Sequence, residues 1–370
     1  ASMIHNEMRK HGIKLVLGYT VEGFKGKDNG VEILLKDNPS LQADMVVLAI
    51  GVTPDTVLAK EAGLELGIKE SIVVNDRMET SVPDIYAAGD AVQVKHYVTG
   101  NDALISLAGP ANKQGRIIAD NICGGDSRYL GSQGSSVIKV FDMTAATTGI
   151  NETNAKKSGL EVDTVILSPM SHAGYYPGGK VMTMKVVFEK ETYRLLGAQI
   201  IGYEGVDKRI DVLATAIHAG LNATQLKDLD LAYAPPYSSA KDPVNMAGFM
   251  IDNIAKGTLK QWHLEDMDKI SKDKDVVLLD VRTVGEFSMG HIDGFKNIPV
   301  DELRERISEI EKGKPVYLIC QSGLRSYIAS RILEGNGYET YNFSGGFRFY
   351  DAVVNDRALI ERAYACGMDY

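Results

Sequence analysis

The segment at residues 316–326, VYLICQSGLRS, restricts the possible folds of this chain more than any other stretch. A short apolar run ends at Cys320, a tight loop containing Gly323 follows, and a helix is predicted to begin near Leu324. A strand, a tight loop and a helix in immediate succession are typical of an α/β layer. The segment therefore predicts an α/β domain that places a cysteine at the end of one of its strands.

This loop also has the composition of an anion-binding site. Its backbone N–H groups can point inward as a nest, and the start of the following helix adds partial positive charge. Both effects favour a thiolate at Cys320, which is the nucleophilic form of cysteine. Gly323 permits a backbone conformation that other residues resist, and Arg325 is expected to close the loop or to face the incoming anion. The alternative is a buried cysteine with a purely structural role. The helix is predicted to pack with Leu324, Ile328 and Ile332 inward.

Composition narrows the class of protein. The 370 residues allow two or three domains, and 44% of them are hydrophobic. There is neither an apolar run long enough to span a membrane nor an apolar N-terminal segment typical of a signal peptide. A net charge of −9 gives no reason to expect binding to nucleic acid or to a membrane. Three scattered cysteines, Cys123, Cys320 and Cys366, argue against a disulfide framework and for a reducing cytoplasm. Cys123 is expected to be a core residue, and no metal site is expected.

The pattern along the chain changes twice. The first part predicts a helix at 4–11, strands at 31–35, 45–50 and 71–74, and a helix at 111–122. No G-x-G-x-x-G motif follows a strand there. The middle part predicts antiparallel strands near 137–141, 145–150, 164–168, 181–188 and 195–201, and then an amphipathic helix that buries Val206, Ile210, Leu213 and Ile217. This middle part has an α+β pattern.

A linker at 256–260 separates the middle part from a last α/β region. The predicted elements are strands at 276–280, 316–320 and 340–343 and helices at 301–311 and 324–334.

The last region resembles a rhodanese domain. The matching residues are LDVR at 279–282, Glu286, GHIDG at 290–294, NIP at 297–299, the Cys320 loop and Gly345-Gly346. The resemblance implies that Cys320 carries sulfane sulfur as a persulfide, held by Gln321, Ser322, Gly323 and Leu324, with Arg325 at the end of the loop. The Cys-x₄-Arg spacing is one residue shorter than the phosphatase loop, which favours sulfur over phosphate. Asp280, Arg282 and His291 are expected to stabilise the fold, and Phe347 stands where the family commonly has tryptophan, with little expected consequence.

The rest of the chain resembles the pyridine nucleotide-disulfide oxidoreductases. The matching segments are TSVPDIYAAGD at 80–90, AIGVTPD at 49–55 and LAGPANKQGR at 107–116. The resemblance implies FAD and either NADH or NADPH as cofactors. It assigns FAD binding to Gly89, Asp90, Pro110, Ala111 and Asn112, and NAD binding to Gly51. The dinucleotide fingerprints and the redox-active cysteine of the family are expected upstream of Ala1.

Two further segments narrow this resemblance to the coenzyme A-disulfide reductases and the NADH-dependent persulfide reductases. They are AGYYPG at 173–178 and LAYAPPYSSAKDPVN at 231–245. In that subfamily two tyrosines of the partner subunit approach the substrate disulfide, and Tyr175 and Tyr233 occupy the matching positions. The resemblance therefore implies a homodimer, with coenzyme A as a substrate or bound ligand. Tyrosines with a packing or turn role are the alternative.

These resemblances predict partial FAD- and NAD(P)-binding Rossmann-like domains, an α+β dimerisation domain and a C-terminal rhodanese α/β domain. The expected boundaries are 1–75, 76–130, 131–255 and 256–370. The implied function is FAD- and NAD(P)H-dependent reduction of a small-molecule disulfide, persulfide or polysulfide, coupled to sulfur transfer by Cys320. Two alternatives stay open: a flavoenzyme of the NADH oxidase type, and a sulfur-carrier module without reductase activity.

Overall fold

A computed structural model describes residues 1–365. The helices are α1 Ser2–Lys10, α2 Val57–Glu61, α3 Ala108–Ile122, α4 Glu152–Lys157, α5 Val206–His218, α6 Pro243–Ala255, α7 Met267–Ile270, α8 Val284–Met289, α9 Leu324–Glu334 and α10 Gly346–Ala365. The strands are β1 Val21–Lys27, β2 Gly30–Leu35, β3 Asn38–Ala43, β4 Ile72–Val73, β5 Val92–Lys95, β6 Asp102–Ala103, β7 Ser136–Val140, β8 Met143–Gly149, β9 Val162–Leu167, β10 Met182–Glu189, β11 Leu195–Gly202, β12 Gln261–Trp262, β13 Val277–Asp280, β14 Lys296–Asn297, β15 Val316–Ile319 and β16 Thr340–Phe343.

The chain divides into two compact units. One comprises Ala1–His11 with Ser135–Arg357, and the other comprises Gly12–Gly134 with residues 358–365. Within residues 1–365, no helix has both the length and the apolar character that crossing a membrane requires.

The larger unit contains two five-stranded sheets. The first is antiparallel with the order β7-β8-β11-β10-β9, and the second is parallel with the order β12-β16-β15-β13-β14. The five predicted strands of the middle part are confirmed within about two residues at each end, as is helix α5, whose four predicted residues are all buried. Antiparallel strands suit sequences that alternate apolar and polar residues, because one face of the sheet packs while the other stays accessible.

The parallel sheet brings the carboxyl end of β15 to the start of α9. Strands β13, β15 and β16 and helix α9 lie where the sequence predicts them. The predicted helix at 301–311 is wrong: this segment forms turns and one short 3₁₀ turn at Ile307–Glu309. Its backbone closes mainly i→i−3 bonds, such as Ile310 N–H to the Ile307 carbonyl at 3.2 Å, which do not extend into an α-helix.

The predicted inner face of α9 is wrong for two of its three residues; Ile332 is half-buried and packs against the core as expected. Leu324 and Ile328 are exposed, and the buried side chains of this helix are Ser326, Ala329, Ser330 and Leu333. Small residues allow a helix to approach a sheet closely, so the face that packs here is the one with little side-chain volume. Apolar spacing alone could not identify that face.

The smaller unit contains two three-stranded sheets, with the orders β1-β2-β3 and β4-β5-β6. Its core is formed by Met78, Val92 and Val94, with half-buried apolar neighbours that include Ile117 and Ile118 of α3. Helix α3 begins three residues earlier than predicted and ends before Gly124-Gly125.

Two predictions in the smaller unit are wrong. Residues 45–50 form no strand, and Met45 and Ile50 are 75% and 90% exposed. An apolar run becomes a buried strand only if neighbouring strands satisfy its backbone, and the described residues supply none to this segment. Cys123 is exposed rather than buried, because it follows the last turn of α3 directly. Cys123 and Cys320 are free thiols, and Cys366 lies outside the described residues.

Candidate functional site

Cys320 lies at the carboxyl end of β15, at the centre of a closed hydrogen-bonded loop. Its side chain is 1% exposed. The backbone N–H of Gly323 and the hydroxyl of Ser326 each lie 3.1 Å from Sγ. The Ser326 hydroxyl is also 3.1 Å from the Gly323 carbonyl, and it has a single proton to donate. A negatively charged sulfur would draw that proton, because hydrogen bonds to charged acceptors are stronger than neutral ones. The loop can thus stabilise a thiolate or a persulfide anion.

Two glycines allow the loop to close. Gly323 has φ +100°, a left-handed conformation that side chains disfavour, as the sequence predicts. Gly346 has φ +68°, and a Cβ there would lie 2.7 Å from the backbone of Gln321. The next residue, Phe347, donates its N–H to the Cys320 carbonyl at 2.8 Å. The Gly345-Gly346 turn therefore packs directly against the cysteine loop.

Three residues of this site were not recognised as parts of it from the sequence. Ser326 belongs to the first turn of α9, and Glu286 was noted only as a family match. Asn342, 3% exposed, donates its side-chain N–H to the Gly323 carbonyl at 3.1 Å. The usable signal for Asn342 is an amide inside an otherwise apolar strand, since a buried polar side chain needs a partner.

Arg325 is held by Glu286. Its guanidinium donates to both carboxylate oxygens of Glu286, at 2.7 and 2.6 Å. The side chain of Arg325 lowers the pKa of Glu286 to about 2, and the carboxylate in turn raises the pKa of Arg325. Arg325 thus closes the loop against α8, and its formal charge is already compensated. The backbone N–H groups of the loop and the start of α9 add partial positive charge beside Cys320.

Two of the three residues predicted to be structural are buried in the domain around this loop. Arg282 and Asp280 are almost fully buried, and the Arg282 guanidinium donates to the carboxylate at distances down to 2.7 Å. The ring of Phe347 lies against the guanidinium of Arg282, 3.8 Å from its centroid. His291 is exposed and stacks on Phe287.

The two selected tyrosines are brought together. The hydroxyl oxygens of Tyr175 and Tyr233 lie 2.8 Å apart, although the two residues are 58 positions apart in sequence. Their side chains are 77% and 45% exposed. The hydrogen bond with Tyr175 raises the pKa of Tyr233. Tyr233 also lines a cavity of about 480 Å³ in the larger unit. Of the two tyrosines, Tyr233 lines this cavity, and a phenol there is able to donate a proton to a bound group.

The residues assigned to FAD lie at one place in the smaller unit. Gly89, with φ +82°, donates its N–H to the side chain of Gln114 in α3 at 2.7 Å. This contact places the turn that holds Asp90 beside the first turns of α3, which contain Pro110, Ala111 and Asn112.

These residues fit the chemistry of a flavin dinucleotide. Asp90 is exposed and has no hydrogen-bond partner among the described residues, so its carboxylate is free to accept hydroxyl groups. The start of a 15-residue helix attracts negative charge. Gly51, assigned to NAD, is exposed and directly follows residues 45–50, with φ +94°. In residues 1–365 there is no group of three or more His, Cys, Asp or Glu side chains arranged to hold a metal ion.

Three family models match the chain. Residues 1–115 match the pyridine nucleotide-disulphide oxidoreductases, 135–243 match the dimerisation domain of that family, and 263–352 match the rhodanese-like domain. The NAD(P)H sulfur oxidoreductase (CoA-dependent) of Pyrococcus abyssi is 37% identical over 65% of this chain and 54% of its own length. The chain thus spans about half the length of such curated relatives.

Two solved structures resemble nearly the whole chain. Reduced CoADR-RHD of Bacillus anthracis has a TM-score of 0.93 and 46% identity, over 96% of this chain and 64% of the other. An NAD-dependent persulfide reductase from A. fulgidus has a TM-score of 0.87 and 40% identity, over 95% and 64%. These matches agree with the elements and the loop described above. The chain belongs to the pyridine nucleotide-disulphide oxidoreductases, in the form that continues from the dimerisation domain into a rhodanese-like domain.

Proposed function

We propose that the whole protein reduces coenzyme A disulfide, or a coenzyme A persulfide or polysulfide, with NADH or NADPH and FAD, and that Cys320 transfers sulfane sulfur. The observation that carries this proposal is the Cys320 loop, in which a backbone N–H and the Ser326 hydroxyl both point at one buried sulfur. A disulfide oxidoreductase acts on sulfur–sulfur bonds, and the Cys320 loop adds a second site where such a bond can form and break.

The sulfur-transfer step conserves electrons. The Cys320 thiolate attacks the outer sulfur of a donor persulfide, so a new S–S bond forms and the donor leaves as a thiolate. An acceptor thiolate then attacks the outer sulfur of the Cys320 persulfide, which regenerates the Cys320 thiolate and yields a new persulfide. In the resting state Gly323 N–H and Ser326 O–H stabilise the thiolate at Sγ. In the loaded state the negative charge lies on the outer sulfur, where the backbone N–H groups of the loop and the start of α9 would stabilise it. A loop organised in advance limits rearrangement between the two steps.

Reduction of the persulfide consumes two electrons from NAD(P)H and one proton, and it yields a thiol and sulfide. FAD, when bound, supplies electron transfer between the nicotinamide and the sulfur substrate. In this chain Asp90 and the start of α3 would hold the cofactor. The Tyr175–Tyr233 pair would orient the substrate and donate a proton to the departing sulfur, a role for which a positioned phenol is suited.

We also propose that the protein acts as a homodimer. The antiparallel sheet belongs to a dimerisation domain, and its two reactive tyrosines are exposed in one subunit. A site whose proton donors face outward is completed when a second subunit covers it. Sedimentation at micromolar concentration should therefore give the mass of two chains.

The experiment uses the whole protein with bound flavin. NADH or NADPH should bleach the flavin absorbance, and coenzyme A persulfide or disulfide should restore it, with sulfide released only from the persulfide. Asp90→Ala should lower flavin content, because loss of a charged acceptor costs about 1.5–3 kcal/mol. Flavin content that does not change in this variant would remove Asp90 from the site.

The same measurement separates the two alternatives. Reoxidation of the flavin by oxygen at least as fast as by the sulfur substrates would favour an NADH oxidase. Absence of a flavin spectrum, with sulfur transfer by Cys320 intact, would leave a sulfur-carrier module.

A further inference from the structure

One buried arginine contacts both of the loops that carry the reactive tyrosines. Arg209 lies in the first turns of α5 and is 2% exposed. Its carboxylate partner, Asp242, is 3% exposed and directly precedes α6. The Asp242 carboxylate accepts a hydrogen bond from the Val244 N–H of that helix at 3.0 Å. Because a buried charge is tolerated only with close partners, this pair is tightly constrained in position.

A single nitrogen of Arg209 joins the two loops. Nη2 carries two protons and lies within hydrogen-bond distance of four acceptors: the Asp242 carboxylate at 2.9 Å, the Ser171 carbonyl at 3.0 Å, the Ser238 hydroxyl at 3.1 Å and the Tyr237 carbonyl at 3.3 Å. Ser171 is four residues before Tyr175, and Tyr237 is four residues after Tyr233. The guanidinium therefore fixes the base of one tyrosine loop against the base of the other.

The two loops also contact each other next to this arginine. Ala173 N–H donates to the Ser238 carbonyl at 3.0 Å, and Ser238 O–H donates to Asp242 at 2.6 Å. At the exposed tips, by contrast, the described contact between the tyrosine hydroxyls is their own 2.8 Å hydrogen bond. Two exposed side chains in one geometry lose considerable conformational entropy, so rigid loop bases are needed to keep them together.

We propose that Arg209, anchored by Asp242, is a positioning residue that sets the distance between the hydroxyls of Tyr175 and Tyr233. Its planar guanidinium offers several donors in fixed directions, which a lysine ammonium cannot reproduce at one site. The inference rests on the proposed function in one respect: the role of the tyrosine pair in reduction is taken from it. Its geometric claim can be tested without any turnover.

The experiment uses the full chain with 3-fluorotyrosine incorporated at position 175. The ¹⁹F shift of this residue is measured with Tyr233 present and with Tyr233→Phe, so that the difference reports the hydrogen bond between the two hydroxyls. In the parent we expect a clear ¹⁹F shift difference between the proteins with and without the Tyr233 hydroxyl. In Arg209→Lys, which keeps the charge but loses the fork of donors, this shift difference should fall by about half or more.

A matched control separates positioning from general destabilisation. Arg282 forms a comparable buried pair with Asp280 in the parallel-sheet region, away from the tyrosine loops. Arg282→Lys should leave the ¹⁹F difference at the parent value. An unchanged difference in Arg209→Lys, or an equal loss in Arg282→Lys, would overturn the proposal.

A milder variant covers the case in which Arg209→Lys does not fold. Ser238→Ala removes one acceptor of Arg209 and keeps the Arg209–Asp242 ion pair. It should reduce the ¹⁹F shift difference in part, and an unreduced shift difference would contradict the proposal. Turnover is measured separately. If Arg209 controls the ¹⁹F difference but the tyrosines do not affect disulfide reduction, the positioning role stands and the proposed function of the pair fails.

Discussion

The cysteine loop and the tyrosine pair lie in the same compact unit, yet they are held in opposite ways. Cys320 is 1% exposed, and its sulfur receives hydrogen bonds from Gly323 and Ser326. Tyr175 and Tyr233 are 77% and 45% exposed, and their hydroxyls contact each other. The environment of Cys320 is therefore organised within one chain, whereas the tyrosine loops are fixed at their bases and the tyrosine side chains are open to solvent.

This contrast fits the two proposed reactions. A persulfide anion needs a charge-stabilising environment that stays fixed while sulfur arrives and leaves. A pair of proton donors must instead remain accessible to a substrate that binds from outside. Removal of the Cys320 sulfur, or of a group that donates a hydrogen bond to it, should consequently have a larger effect than changes at the tyrosines.

The largest expected effect is that of Cys320→Ser. The variant should lose sulfur transfer from thiosulfate or a persulfide down to background, because a hydroxyl forms no persulfide. Reduction of the flavin by NADH should persist, since the smaller unit is not altered. Transfer to cyanide, followed at equal protein concentration, is the measurement, and transfer at the parent rate would exclude Cys320 as the sulfur carrier.

Removal of the Ser326 hydroxyl should have the second-largest effect on sulfur transfer. A hydrogen bond to a charged acceptor contributes about 1.5–3 kcal/mol, so Ser326→Ala should slow sulfur transfer by about 10- to 100-fold. Ser330→Ala is the matched control, because Ser330 is buried on the same face of α9 but bonds only to the Tyr327 carbonyl among described groups. Equal losses in the two variants would indicate a packing effect rather than stabilisation of Cys320.

Tyr175→Phe and Tyr233→Phe should have smaller effects. General acid catalysis contributes about 100-fold or more in enclosed sites, and we expect about 10-fold here because the pair is exposed. Disulfide or persulfide reduction should slow while flavin reduction by NADH stays constant. Tyr176→Phe is the control, since Tyr176 is 43% exposed next to Tyr175 and lies outside both the pair and the cavity lined by Tyr233. Turnover that is the same in all three variants would leave the tyrosines as packing or turn residues.

The smallest expected effect concerns the Arg325–Glu286 pair. The pKa of Glu286 is lowered from 4.5 to about 2, so the folded state favours the ionised carboxylate. Its stabilising contribution is complete above pH 4.5 and is lost as the pH falls through about 2. Glu286→Gln should lower the free energy of unfolding by about 1 kcal/mol at pH 7, because the pair is partly exposed.

Denaturant titrations between pH 7 and pH 3 measure the difference in the free energy of unfolding between the parent and Glu286→Gln. It should shrink steadily below pH 4.5. A difference that is constant across the range would show that the carboxylate charge is not what stabilises the loop.

Much of the fold and part of each site follow from the sequence alone. Strand β15, the left-handed Gly323 and helix α9 are local consequences of an apolar run, a glycine and a helix-forming stretch, so they are predictable one after another. The alternating strands of the middle part are predictable for the same reason, since the side-chain period of two is a local property. Cys320, Tyr175 and Tyr233 could be selected because their motifs are contiguous.

Only the tertiary structure decided which groups meet. The pairing of Arg325 with Glu286 spans 39 positions, and the contact of the tyrosine hydroxyls spans 58. On α9, Leu324 and Ile328 are exposed although their spacing predicts burial, while Ser326 is buried and contacts the cysteine sulfur. Residues 45–50 have the sequence of a buried strand but remain exposed. The physical reason is common to all four: periodicity specifies the local backbone, whereas burial and hydrogen-bond partners depend on the elements that pack around it.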